Sequence, residues 1–161
     1  MHIKVGVLSD THLHGVNRTF ESILEQHLSD VDMILHAGDY VSEEIMLFLD
    51  HGDFYGVQGN MDSPAIKHHL PDRRIINIGS FRIGLVHGWG SSQGLEERLL
   101  KEFDPVDVLV YGHSHNPANH IKKGVLLFNP GTATGFASRG NHSIGILHIG
   151  SEIRGEIIPV D

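Results

Sequence analysis

Ile3-Lys4-Val5-Gly6-Val7-Leu8 is a short apolar run that stops at polar Ser9-Asp10-Thr11-His12 and a turn at Gly15, as a buried strand does. From Asn17 to Leu28 the apolar Phe20, Ile23, Leu24 and Leu28 recur at helical spacing, with Asn17 as the N-cap. A second strand at Met33–Leu35 leads into His36-Ala37-Gly38-Asp39, and Ser42-Glu43-Glu44 opens a short helix through Leu49, its acids favouring the N-terminal end. A third strand near Phe54–Val57 runs into Gly59-Asn60-Met61-Asp62. Strands separated by helical segments predict βαβ units and a largely parallel sheet.

Further on, the spacing shifts from helices to hairpins. Arg74–Ile78 and Phe81–Val86 flank Gly79-Ser80, a two-residue turn. A helix is predicted from Leu95 to Phe103, with Leu95, Leu99 and Phe103 on one face. Asp107–Tyr111 reads as a buried strand ending in Gly112-His113-Ser114-His115. Ala118–Ile121 and Val125–Phe128 pair across Lys123-Gly124, and Ser143–Ile149 with Glu152–Ile158 across Gly150-Ser151. No linker or internal repeat interrupts the 161 residues, so one domain over 1–161 is expected, an α/β sandwich of two sheets with helices outside.

Composition narrows the function. Hydrophobic residues make up 40% of the chain, enough for a core, and the absence of cysteine excludes disulfide scaffolds and thiolate metal sites. The opening on an apolar strand predicts no cleavable leader, and no run approaches the ~20 apolar residues that span a bilayer. We therefore expect a soluble, cytoplasmic protein without a membrane partner. A net charge of −8, with basic residues scattered, argues against a nucleic-acid polymer as partner. Histidine is the anomaly: there are 14, and histidine is both the commonest metal ligand and the usual acid/base group.

The chemistry-bearing residues collect directly after strands, beside glycines. Asp10 and His12 follow the first strand, Asp39 the second, Asn60 and Asp62 the third; His87 follows Phe81–Val86, and His113 with His115 follow Asp107–Tyr111. In open α/β sheets the carboxyl ends of strands line one crevice where ligands bind. Asp-x-His and His-x-His set two donors at i and i+2, which an extended chain projects to the same side. Two carboxylates, an amide and four imidazoles can fill two metal shells if one carboxylate is shared. Mixed oxygen and nitrogen donors suit manganese, iron, zinc, nickel or cobalt better than calcium or magnesium. Two divalent ions facing two carboxylates leave a positive site, which a phosphate ester complements. A water bridging the ions would be acidified into the nucleophile.

In order along the chain, Asp10-Thr11-His12, Gly38-Asp39, Gly59-Asn60-Met61-Asp62, His87-Gly88 and Gly112-His113-Ser114-His115 resemble the motifs of the calcineurin-like metallophosphoesterases, and of their small single-domain bacterial and archaeal phosphodiesterases in particular. Asn129-Pro130-Gly131-Thr132 resembles the Asn-Pro-Gly-Ser signature of that branch, and the likeness runs from residue 3 to about 149. The resemblance implies a four-layer αββα sandwich of two mixed β-sheets flanked by helices. It implies one ion held by Asp10, His12, Asp39 and His115 and a second by Asp39, Asn60, His87 and His113, with Asp39 bridging. Manganese is the expected metal, with zinc, nickel or iron as alternatives. Asp39, Asn60 and His113 are the residues expected to carry catalysis on a small phosphate diester, and Asp62 to orient a ligand. The family's Gly-Asn-His is Gly59-Asn60-Met61 here, so the histidine thought to protonate the leaving group is missing. A non-catalytic scaffold on the same fold, like the retromer subunit that resembles this family, is the rival reading; it has no need of an intact ligand set.

Other positions carry weaker signals. Asn60 also suits a plain turn residue. His36 ends a strand and reads as a packed histidine, His14 either overhangs the cleft or is solvated, and Trp89 either lines a pocket or packs. Asn129 and Gly131 shape a turn near the cleft, and Arg139 sits in the Ser138-Arg139-Gly140-Asn141 turn. Hairpin edges late in the chain allow a homo-oligomer.

Overall fold

The computed structural model describes residues 1–136 and 141–161; Arg139 and most of its turn lie outside the described residues. In chain order the elements are β1 (Ile3–Leu8), α1 (Arg18–His27), β2 (Met33–His36), α2 (Glu43–Leu49), β3 (Phe54–Gly56), α3 (Pro64–His69), β4 (Arg73–Ile78), β5 (Phe81–Val86), α4 (Leu95–Leu100), β6 (Val108–Val110), β7 (Ala118–Lys122), β8 (Val125–Asn129), β9 (Ser143–Ile149) and β10 (Ile153–Pro159). The strands form two mixed five-stranded sheets, ordered β10-β9-β1-β2-β3 and β4-β5-β6-β8-β7. Three adjacent strands run parallel in each sheet: β1-β2-β3, with the antiparallel β9-β10 hairpin on the β1 side and β3 at the far edge, and β5-β6-β8, with antiparallel β4 and β7 at the two edges. Among the described residues no helix is long and apolar enough to cross a membrane.

The strand period of two explains the layering. Val5 and Val7 of β1, Leu35 of β2, and Leu147 and Ile149 of β9 pack against Ile83, Leu85, Val108, Val110 and Phe128 of the other sheet. The alternate residues face outward: Leu8, Ile144 and Ile146 meet Phe20, Ile23, Ile45, Leu49 and Ile66 of α1, α2 and α3. On the far side Val86, Leu109 and Leu127 meet Leu95 and Leu99 of α4. Helices, sheet, sheet, helix is the four-layer αββα order that the motifs implied.

The helix starts follow their caps. Asn17 accepts a hydrogen bond from Phe20 N at 2.8 Å and Ser42 from Glu44 N at 3.1 Å. The α3 helix was absent from the sequence reading, although Ser63 as N-cap and Pro64 as first helical residue are its start signals. The α4 helix stops at Leu100, three residues short of the expected end. A Glu102 N to Leu99 O bond tightens the chain there, and Asp104 before Pro105 is steered from helical backbone. Phe103 still packs against the same apolar cluster. The turns at Gly79 (φ 60°) and at Lys123-Gly124 (φ 54° and 78°) have the positive φ that two-residue hairpins require. The β9–β10 connection is one residue longer than expected: Ile149 pairs with Ile153, and Gly150 N donates to Glu152 O at 2.9 Å.

Phe128 sits between the sheets, fully buried, and Gly145 of β9 and Gly155 of β10 make room for its ring. Truncating it opens a cavity that rigid sheets cannot collapse around. Phe128→Ala should cost about 3–5 kcal/mol in urea unfolding at unchanged m-value, and a loss below about 1 kcal/mol would show that the ring is dispensable to the inter-sheet core.

Candidate metal centre

The carboxyl ends of the parallel strands of both sheets meet at one edge, and the expected donors are delivered there by turns too short to relax. Asp10 N donates to Gly38 O at 2.9 Å and His12 N to Asp39 O at 3.1 Å, binding the turns after β1 and β2 to each other. Gly112 N donates to His87 O at 3.0 Å, doing the same in the second sheet. Across the sheets, His87 Nδ1 donates to Ala37 O at 2.7 Å and His113 N to Asp10 Oδ2 at 3.1 Å. Asp10, His12, Asp39, His113 and His115 all have φ between 46° and 72°, a region that non-glycine residues rarely occupy. Five of the seven expected ligands thus sit on strained backbone, which persists only where surrounding bonds over-determine it.

Asp10 is completely buried, and Asp39 and His87 are nearly so. Each carboxylate spends one oxygen on structure. Asp10 Oδ2 accepts from Ser9 Oγ at 2.6 Å and from His113 N; Asp39 Oδ1 accepts from Met61 N at 2.8 Å. The other oxygens face imidazoles. Asp10 Oδ1 lies 3.3 Å from His115 Nε2, 3.6 Å from His12 Nε2 and 3.8 Å from His87 Nε2; Asp39 Oδ2 lies 3.2 Å from His87 Nε2 and 3.4 Å from His12 Nε2. Two groups of donors result: Asp10, His12 and His115, and Asp10, Asp39 and His87. Asp10 is common to both, while Asp39 Oδ2 lies between one histidine of each.

The donor set fits a cation. Asp10 Oδ1, His12 Nε2 and His87 Nε2 are buried without a hydrogen-bond partner among the described residues. Ligand bonds of about 2.0–2.2 Å put neighbouring donors of one ion about 3–3.5 Å apart, close to the spacings here. The tautomers agree, because carbonyls can only accept: Ala37 O fixes the proton of His87 on Nδ1, and Phe136 O at 2.6 Å does so for His115, so both Nε2 atoms turn bare lone pairs to the cluster. His113 is oriented the other way, Nε2 donating to Gly90 O at 2.7 Å, and its ring stands edge-on to His87 with centroids 5.3 Å apart.

Asn60 and Met61 are exposed, with Asn60 lining a pocket beside His87. Asp62 is buried and accepts from Asp39 N at 3.0 Å, Gly59 N at 2.7 Å and Val41 N at 2.7 Å, so it holds the turn that carries Asp39. A Cβ at Gly59 would collide with the Asp39 carboxylate, so only glycine fits there. Asn129 Nδ2 donates to Gly112 O at 3.3 Å and to Ser114 Oγ at 3.1 Å, bracing the His-x-His turn, while its Oδ1 accepts from Gly131 N. His14 is exposed. His36 is packed: it stacks on Tyr40 with centroids 3.8 Å apart, accepts from Gly38 N, and burial pushes its pKa down to about 3. Three residues without an assigned role in the sequence support the site. Ser9 adjoins the Asp10-Thr11-His12 motif and donates to Asp10 Oδ2; Thr132, the last residue of the Asn-Pro-Gly-Thr motif, donates through Oγ1 to Asp10 O at 2.7 Å; Arg98, which donates to Trp89 O, gives no sequence signal.

Charge follows from this packing. Burial raises the Asp10 carboxyl, but His115, His12, His87 and Ser9 outweigh it and hold it below the usual carboxylate range. Asp39 is likewise held down, by His12 and His87 against burial. Contact with Asp10 and then Asp39 lifts His12 to about 9. Asp62 is raised, burial prevailing over its three backbone donors.

Strand-end carboxylates and imidazoles able to bind metal, on a two-sheet αββα sandwich, are the arrangement of the metallophosphoesterase fold. The calcineurin-like phosphoesterase superfamily domain matches residues 3–152, and the chain belongs to that family, hydrolases of phosphoester bonds. A probable metallophosphoesterase of Methanocaldococcus jannaschii is 35% identical, covering 98% of this chain and 81% of that protein. A solved archaeal phosphodiesterase is 26% identical with a TM-score of 0.76, covering 97% of this chain and 100% of that one. Vacuolar Protein Sorting 29 of Cryptosporidium parvum, 24% identical with a TM-score of 0.73 over 98% of this chain and 97% of that one, shares the fold.

A raised imidazole binds its proton more tightly folded than unfolded. His12 therefore stabilises the metal-free fold below its ordinary value near 6.5, and that contribution is lost as pH rises through about 9. A cation must displace the same proton. Calorimetric titration with zinc should show affinity rising with pH up to about 9, with proton release that shrinks over that interval; flat affinity and no released protons would contradict the contacts of His12 with the two carboxylates.

Proposed function

We propose that the chain is a dimetal phosphodiesterase acting on a small phosphate diester. The observation that carries this reading is the convergence of Asp10 Oδ1, His12 Nε2 and His87 Nε2, buried polar atoms with no partner among the described residues. The likeness to a solved archaeal phosphodiesterase supports the diester. We assign Asp10, His12, Asp39 and His115 to one ion and Asp39, Asn60, His87 and His113 to the other, with manganese as the metal. We further infer that residues 1–161 work as one domain, in the cytoplasm. The net charge of −8 favours a small substrate over a nucleic-acid polymer.

When bound, divalent ions supply positive charge to the phosphoryl oxygens and lower the pKa of water. The chain's own residues arrange that chemistry. Asp10 and Asp39 stay ionised and accept cations; Ala37 O and Phe136 O hold His87 and His115 with Nε2 unprotonated toward the centre. Asp62 fixes the main chain of Asp39 and Gly59, and so sets where Asn60 stands. Asp39, Asn60 and His113 are the residues we assign to catalysis. Met61 cannot move a proton, which favours substrates whose leaving group needs none. The scaffold reading draws on the fold shared with Vacuolar Protein Sorting 29 proteins, one of which is solved with zinc.

Hydrolysis of bis(p-nitrophenyl) phosphate should require added manganese and stop with chelator. Asp39→Asn should lose metal and at least about 100-fold in kcat/KM, since even residues supporting a ligand cost about 10–100-fold. No metal-dependent turnover would favour the scaffold, and two ions retained by Asp39→Asn would overturn the assignment.

Met61 is 58% exposed and holds Asp39 through its backbone N–H, which any residue retains. Met61→His should therefore keep the metal and speed poor leaving groups, by up to about 10²–10⁴-fold, far more than p-nitrophenolate. Equal acceleration of both would rule out proton donation from this position.

A further inference from the structure

Beyond His87 the wall of the site changes character. Asn60, Lys67, Arg73, His87, Gly88 and Trp89 line a pocket of about 180 Å3 that shares His87 with the ligand cluster. Trp89, the chain's one tryptophan, is 38% exposed there. The Arg73 guanidinium carbon lies 5.9 Å from its ring centroid, and Glu102 Oε2 holds that guanidinium at 2.9 Å. An indole braced by a cation and still partly open to solvent is a stacking surface.

The loop beneath the ring is already fixed. Arg98 of α4 donates to Trp89 O and to Ser91 O, both at 2.6 Å, and His113 Nε2 donates to Gly90 O at 2.7 Å. A main chain tied at three consecutive carbonyls loses little freedom when a ligand arrives, so binding there forfeits little entropy. Charge distinguishes between occupants. Arg73 is answered by Glu102 and, at 3.7 Å, by Asp72, which leaves Lys67 as the remaining cation of the wall. Such a wall lacks the surplus of positive charge that a second phosphate demands, and it offers instead a ring face and an edge of polar groups.

We propose that this pocket is the subsite for an aromatic arm of the phosphoester substrate, stacked on Trp89. The proposal deepens the phosphoesterase reading and rests on it. It makes Trp89 a specificity residue that touches the ester arm but not the reacting phosphorus.

The single tryptophan supplies a readout independent of turnover. With zinc-equilibrated protein, diphenylphosphinate, which has no ester bond to break, should shift Trp89 emission and bind about tenfold tighter than dimethylphosphinate. By calorimetry the preference should survive in Trp89→Phe and vanish in Trp89→Ala. Equal binding of the two phosphinates to the wild type, or a preference undiminished in Trp89→Ala, would overturn the subsite. Turnover of bis(p-nitrophenyl) phosphate by the same preparations, assayed with added manganese and without phosphinate, separates the two readings. If turnover is absent and the preference intact, the hydrolase assignment fails and the subsite stands; if turnover is intact and the preference absent, the subsite alone fails.

Discussion

Asp10 and Asp39 are two carboxylates, buried at the meeting edge of two sheets, with one oxygen each bound to local donors and the other facing imidazole nitrogens. Taking an ionised carboxylate out of water costs several kcal/mol even after relaxation. The protein offsets that cost through His12, His87 and His115, whose pKa values all rise in response. Removing either carboxylate would take away the anion that the inward histidine nitrogens face, and removing the histidines would leave bare anions. The fold around the site is arranged so that neither group can turn away.

That arrangement explains the strained backbone. Side chains delivered from the ends of strands in two different sheets reach one point only if the turns double back sharply, and here the turns do so at non-glycine residues with positive φ. Each such residue costs of order 1–3 kcal/mol. The bonds that hold them come mostly from main chain or from short polar side chains: Asp62 on Asp39, Thr132 on Asp10 O, Thr134 on Thr11 O. Val41, a β-branched residue at φ 76°, shows the same economy: Asp62 Oδ1 holds its N–H, and the strain is confined to a position that touches none of the donor atoms.

What the sequence made legible divides along physical lines. Period-two burial located the strands on both sides of the inter-sheet core, because each side chain there meets either the opposite sheet or a helix. Donor residues after strands were visible as well, since a polar cluster at a strand end beside glycine has few structural uses. The α3 helix was not, because six residues contribute one buried side chain, Ile66, and no amphipathic stripe can be read from that. Which carboxylate oxygen is free, and that Asp10 Oδ1 is shared between both donor groups, depends on third-dimension contacts that spacing does not encode. Arg98 shows the same limit: its role consists of bonds to three main-chain carbonyls, those of Trp89, Ser91 and Gln93, and no side-chain pattern announces it.

The case for a cation at this edge is energetic. A buried acceptor left without a partner costs about 1–3 kcal/mol, and three such atoms converge here. A surface used only for docking gains nothing from that cost, and apolar replacements of similar shape would relieve it. Retaining the bare atoms makes sense when something outside the polypeptide satisfies them. The bonds that pin His87 and His115 to Ala37 O and Phe136 O point the same way, since they aim unprotonated nitrogens inward instead of allowing each ring to settle its own hydrogen bonds. A cation relieves several of these atoms at once while neutralising the carboxylates, which a docking partner approaching from the surface could not do for atoms buried this deeply.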